Sequence, residues 1–134
     1  MAKLTNDYLF LFREPASGTD ASAAEIQKTM TLFVEWINRL SENGILKGAN
    51  PLEDRGRVIK GKDGSIITDG PFAESKEIVG GYFIISARSF EEASELAQDY
   101  PLFALNWSIE VREIAELCPL MKPLVESGQL SLSR

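Results

Sequence analysis

Histidine is absent from the 134-residue chain, and with it go the commonest general base and the commonest metal ligand. A Ser-His-Asp or Cys-His site within one chain is excluded, so any acid–base step must use Asp, Glu, Lys, Tyr or the single Cys118. One cysteine permits no intrachain disulfide, which fits a reducing, cytoplasmic compartment. YLFLF near the start is far shorter than the roughly 20 apolar residues that cross a bilayer, and no charged segment leads into a long apolar one as in a signal peptide. No Lys/Arg run exceeds two residues, and 20 acids against 14 bases leave a net charge of −6. A polyanion is repelled on average, so neither nucleic acid nor membrane is an expected partner. Calcium- and zinc-type ligand spacings are missing too, and no metal or other cofactor is expected.

What is present suits one soluble globular domain able to bury a real core: 44% apolar and 25% charged residues. DYLFLFR, residues 7–13, alternates with both faces apolar: Tyr8, Phe10 and Phe12 on one, Leu9 and Leu11 on the other. Such a strand needs cover on both sides. After a Pro-Ser-Gly loop, Ser22 and Glu25 form a capping box, predicting a helix from about Ala23 to the Asn43-Gly44 stop. Its apolar stripe reads Ile26, Met30, Phe33, Ile37 and Leu40.

Val58-Ile59 and Ile66-Ile67 flank GKDG, whose glycines fit a hairpin turn. IVGGYFII is again apolar on both faces and reads as a central strand, Gly80-Gly81 marking a bulge or a close backbone approach. Ser89 and Glu92 repeat the capping box, with Phe90, Ala93, Leu96 and Ala97 on one face and Pro101 as the stop. NWSIEVREI alternates, with Trp107, Ile109 and Val111 facing one way and Ser108, Glu110 and Arg112 the other. The order is β-α-β-β-α-β with an extra hairpin: an α+β, ferredoxin-like fold with two helices on one face of an antiparallel sheet. Residues 1–115 form the domain, and 116–134 an arm or short helical extension of it. The helices leave one apolar sheet face uncovered, and its simplest cover is a second copy, giving a homodimer.

Asp69–Ile85, DGPFAESKEIVGGYFII, resembles the signature of the DGPF branch of the YCII-related proteins, a specific run of seventeen residues. The preceding KDGSIITDGPF and the later WSIEVREI are similar to the same family's approach and closing strand, so the likeness covers roughly residues 5–115. It implies a dimeric α+β barrel of two ferredoxin-like sheets. It also implies kinship with small-molecule enzymes, one of them a dehydrochlorinase of aromatic degradation, and with domains beside or fused to sigma factors. The family's usual His–Asp pair cannot be carried over, because the chain has no histidine and reads Asp99-Tyr100-Pro101 where the family has Asp-Asp-Pro.

The candidate site residues cluster around the DGPF motif. Asp69 is either an Asx-turn residue or a carboxylate base raised by burial, and Phe72 a plug into the core or dimer seam. Glu74 and Lys76 are either solvated edge charges or, sharing one side of an extended chain, a pair that binds an anion or, with Lys76 as a catalytic partner of Asp69, moves a proton. Tyr82 is a core aromatic with its hydroxyl at a cavity edge. Arg112, two residues from Glu110, is a carboxylate anchor if its face looks into the barrel. Cys118 has no activating neighbour and is expected to be inert. Two functions compete, and the sequence leaves open whether the protein is an enzyme. One is a cavity in each dimer half taking an anionic or aromatic small molecule, with histidine-independent acid–base chemistry. The other is a non-catalytic regulatory dimer linked to transcription initiation through a protein partner, with an exposed apolar patch.

Overall fold

A computed structural model describes residues 4–15, 17–70 and 77–131. In chain order the elements are β1 (Asn6–Pro15), α1 (Ala23–Glu42), β2 (Leu46–Pro51), β3 (Arg57–Lys60), β4 (Ile66–Asp69), β5 (Glu77–Ala87), α2 (Phe90–Gln98), a 3-10 turn (Pro101–Leu105), β6 (Ser108–Glu113) and α3 (Lys122–Glu126). Four strands form an antiparallel sheet in the order β2-β5-β1-β6. That is the ferredoxin-like order, with β3 and β4 as a separate two-stranded hairpin inserted between β2 and β5. The sheet of one chain is open and not closed into a barrel.

Local chemistry sets the boundaries. Both serine N-caps form: the Ser22 and Ser89 side chains accept from the Glu25 and Glu92 amides at 3.2 and 3.0 Å, while the glutamate carboxylates turn to the Ser22 hydroxyl and to Arg88. Each serine satisfies an N–H that the helix itself leaves unpaired. The hairpin turn uses Gly61 and Gly64 at φ 95° and 71°, which side-chain-bearing residues rarely adopt. Between β1 and β5 the register slips opposite Phe12/Arg13, where Gly80 is the extra residue; this is the bulge that Gly80-Gly81 foretells.

Alternation along the strands divides the sheet into two faces. Tyr8, Phe10, Phe12, Phe83, Ile85 and Ala87 are buried under α1 and α2. Leu9 and Leu11 of β1 pair with Ile84 and Tyr82 of β5 on the other face, where no helix lies among the described residues. In the single chain these four are only partly buried.

One expectation is displaced. The buried residues of α1 are Thr29, Trp36 and Leu40, while Ile26 and Met30 stay more than a third exposed. The helix is rolled so that Trp36 enters the core, stacked within 6.3 Å of Phe10 and 5.6 Å of Phe83. Its indole N–H donates to the Leu96 carbonyl at 3.3 Å, tying α1 to α2. The leading edge of the apolar stripe therefore borders a groove rather than filling the core.

Candidate functional site

That groove is the head of a pocket. It lies on the helix side of the sheet, where β2 ends and β5 passes through its bulge, and encloses about 420 Å³, within the usual ~300–1,000 Å³ range of small-molecule sites. Met30, Phe33 and Ile37 of α1 form one wall, and Ala49–Pro51 of β2 another. Phe12 and Phe83 supply the sheet side, and Tyr100, Leu102 and Trp107 close it.

Gly80 and Gly81 of β5 both line the recess, and neither has room for a side chain. A Cβ at Gly80 would sit 2.8 Å from the Trp107 ring, and one at Gly81 would sit 3.0 Å from the Asn50 carbonyl. The glycines thus let an indole lie against one stretch of backbone and β2 against the next. Trp107 is aimed from behind. Asn106 takes the left-handed conformation at φ 65°, and the Trp107 amide donates to the Leu102 carbonyl at 3.1 Å, which turns the chain from the 3-10 turn into β6.

No charged side chain lines this pocket among the described residues. Tyr100 brings its phenol to the wall, whereas the Asn50 amide lies on the opposite face of the sheet, where it donates to the Tyr82 hydroxyl at 3.0 Å. Tyr100 is 3% exposed, yet its hydroxyl makes no hydrogen bond to any described residue and is not sealed off from solvent. Burial raises its pKa above the ordinary tyrosine value. The phenol stays neutral at physiological pH and can donate to, or accept from, one polar atom of a guest.

The raised pKa also sets a sign. The folded state holds the Tyr100 proton more tightly than the unfolded chain, so its contribution to stability is complete below about pH 10, the unfolded value, and declines above it. We expect wild-type stability in urea to fall more steeply above pH 10 than that of Tyr100→Phe. Parallel curves from pH 8 to 11 would contradict this assignment.

The residues singled out from the sequence are not gathered here. Asp69 ends β4 and accepts from the Arg57 guanidinium of β3, in an exposed polar recess shared with Arg55, Gly56 and Gly70. Tyr82 stands on the open sheet face. Arg112 is on the same face of β6, exposed, donating to Glu110 at 3.3 Å. Glu110 also accepts from Arg13 at 3.0 Å, and the two guanidiniums, Arg13 foremost, hold its carboxyl below the ordinary value. Phe72, Glu74 and Lys76 lie outside the described residues. The recess at Asp69 is lined by Arg55, Gly56, Arg57 and Gly70, and Arg112 is not part of its described lining. Cys118 is exposed and free. Among the described residues no cluster of three or more acids or cysteines could hold a metal, and no helix is long and apolar enough to cross a membrane. The pocket itself escaped the sequence reading, although the departure at Asp99-Tyr100-Pro101 pointed at one of its walls.

A model of the YCII-related domain matches residues 11–118 of the chain. No curated protein matches it. Among solved structures, the 5-chloro-2-hydroxyhydroquinone dehydrochlorinase of Burkholderia phenoliruptrix, in complex with 2,5-dihydroxybenzoquinone, is 15% identical with a TM-score of 0.42, over 80% of this chain and 93% of that one. A de novo designed protein with a ferredoxin fold, solved by NMR, is 12% identical with a TM-score of 0.32, over 87% of this chain and 90% of that one.

Proposed function

The chain belongs to the YCII-related domain family, and from that premise we propose that it is a homodimeric binding protein for a small, neutral aromatic molecule held against Tyr100 and Trp107. The observation that carries this is the character of the pocket wall: uncharged and mostly aromatic and aliphatic in its described lining, with a buried, neutral phenol left to hydrogen-bond a guest. A flat ring recovers apolar burial along Phe33, Phe83 and Trp107. A carboxylate would lose its water without meeting a cation among the described lining residues, which favours the aromatic over the anionic half of the expectation. The proposal concerns binding. Asp69 is held by Arg57 on the hairpin, outside the pocket's described lining, and no proton transfer is routed through it.

The dimer is supported by the open sheet face. Leu9, Leu11 and Ile84 make an apolar strip, with Arg13, Glu110 and Arg112 beside it. Two such faces packed about a two-fold axis would cover both strips.

Calorimetric titration with a matched pair, 2-naphthol and 2-naphthoate at pH 7, tests the pocket. We expect saturable binding of the naphthol, about tenfold or more tighter than the carboxylate. Tyr100→Phe should weaken the naphthol by about 1 kcal/mol, the worth of one hydrogen bond. Equal or preferential binding of the carboxylate, or no saturable heat with either, would overturn the reading. Sedimentation equilibrium should return twice the 14.8 kDa chain mass.

A further inference from the structure

The β3–β4 hairpin has four rungs and no ladder to the main sheet. Each of its branched aliphatic residues is in water: Val58 is 44% exposed, Ile59 62%, Ile66 50% and Ile67 58%. They lie on both sides of the ribbon. Ile59 opposes Ile67 on the side that carries the Arg57–Asp69 pair, and Val58 and Ile66 lie on the other. A lone two-stranded hairpin is marginally stable in water, and sequences normally keep such apolar ribbons covered.

We propose that this hairpin is an arm that packs against the body of a second copy of the chain. The inference rests on the dimer proposed above and adds a second contact to it. Charge favours this occupant. Arg55–Gly70 carries four bases (Arg55, Arg57, Lys60, Lys62) against two acids (Asp63, Asp69), a net +2, so the remainder of the chain carries −8 of the total −6. The arm is drawn to the acidic body of another copy, while two bodies alone repel. Interface size points the same way. The open sheet face offers about ten side chains, whereas a stable interface takes roughly 20–30 residues a side. In a two-fold assembly the arm–body contact occurs twice, once from each copy, so both partners gain.

The test is sedimentation equilibrium of the full chain over a range of concentrations, for the wild type, for Ile59→Lys/Ile67→Lys and for Leu11→Lys on the sheet face. Hydrogen exchange of the hairpin amides at high and low protein concentration accompanies it. The arm predicts a wild-type dimer, a dissociation constant raised about tenfold or more in the double variant, and β3–β4 protection that fades on dilution. If the double variant fails to fold, the wild-type exchange experiment decides alone. A wild-type dimer, sensitive to Leu11→Lys but indifferent to the hairpin variant, with protection independent of concentration, overturns the arm and leaves the dimer standing. Such an outcome would assign the ribbon to its own chain or to a different protein. A monomeric wild type overturns both.

Discussion

Trp36→Ala should cost about 3–5 kcal/mol, the range for removing a buried large aromatic. Against a total stability of roughly 5–15 kcal/mol, that is enough to bring the fold close to its limit. The indole is 2% exposed and meets five other aromatic rings, those of Phe10, Phe12, Phe33, Phe83 and Tyr100, at centroid separations of 5.6–6.3 Å. Its loss opens a cavity bordered by strand and helix side chains that cannot collapse together, and it leaves the Leu96 carbonyl without the indole N–H. Urea unfolding followed by circular dichroism, at matched protein concentration, should show a much lower midpoint with little change of slope. Trp36→Phe should recover part of the loss. A cost below about 1.5 kcal/mol for the alanine variant would mean that Trp36 is not the centre of the core.

Gly80→Val should abolish ligand binding while costing about 1–3 kcal/mol of stability, the range for overpacking. Its Cβ alone falls 2.8 and 2.9 Å from two Trp107 ring carbons, well inside contact distance, and valine adds two methyls beyond that. Trp107 has to swing away, and the space nearest to it is the pocket whose wall it forms. The variant thus fills the recess twice, once from the strand and once from the displaced indole. Near-UV circular dichroism should report the moved tryptophan, and the naphthol titration should lose its saturable heat. Gly81→Ala makes a contrasting variant. Its obstacles are the backbone of Asn50 and Pro51, so the strain falls on the β2–β5 pairing rather than on a movable ring. A Gly80→Val protein that still binds naphthol with wild-type affinity would remove this pocket from the proposed function.

Much of this architecture is written locally and is readable as such. The serine caps at Ser22 and Ser89, the glycine turn between β3 and β4, and the alternation of β6 each depend on residues a few positions apart. The Gly80-Gly81 step is an intermediate case. Its composition announces a bulge, but the reason for it, the Trp107 ring on one glycine and the β2 backbone against the next, comes from partners about thirty residues away in either direction. The stripe drawn along α1 missed Trp36 because periodicity fixes an apolar sector but not which large ring in it fills the centre. The pocket was less legible still. Its wall combines residues from α1, β2, β5, the 3-10 turn and the approach to β6, and none forms a short motif. Asp69 drew attention by its place in a signature sequence, but an ion pair with Arg57 occupies it on an exposed hairpin.

The sheet order has a bearing on synthesis. β1 leaves the ribosome first and ends in the middle of the sheet, with Phe10 opposite Phe83 on one side and Val111 on the other. At about 5–20 residues per second, the nearer of those partners arrives roughly 4–15 seconds later. Meanwhile an apolar strand with two unpaired edges has only α1 at hand. Trp36, already long enough to reach Phe10 and Phe12, can shelter one face of the nascent strand until the second half of the chain arrives to pair with its edges.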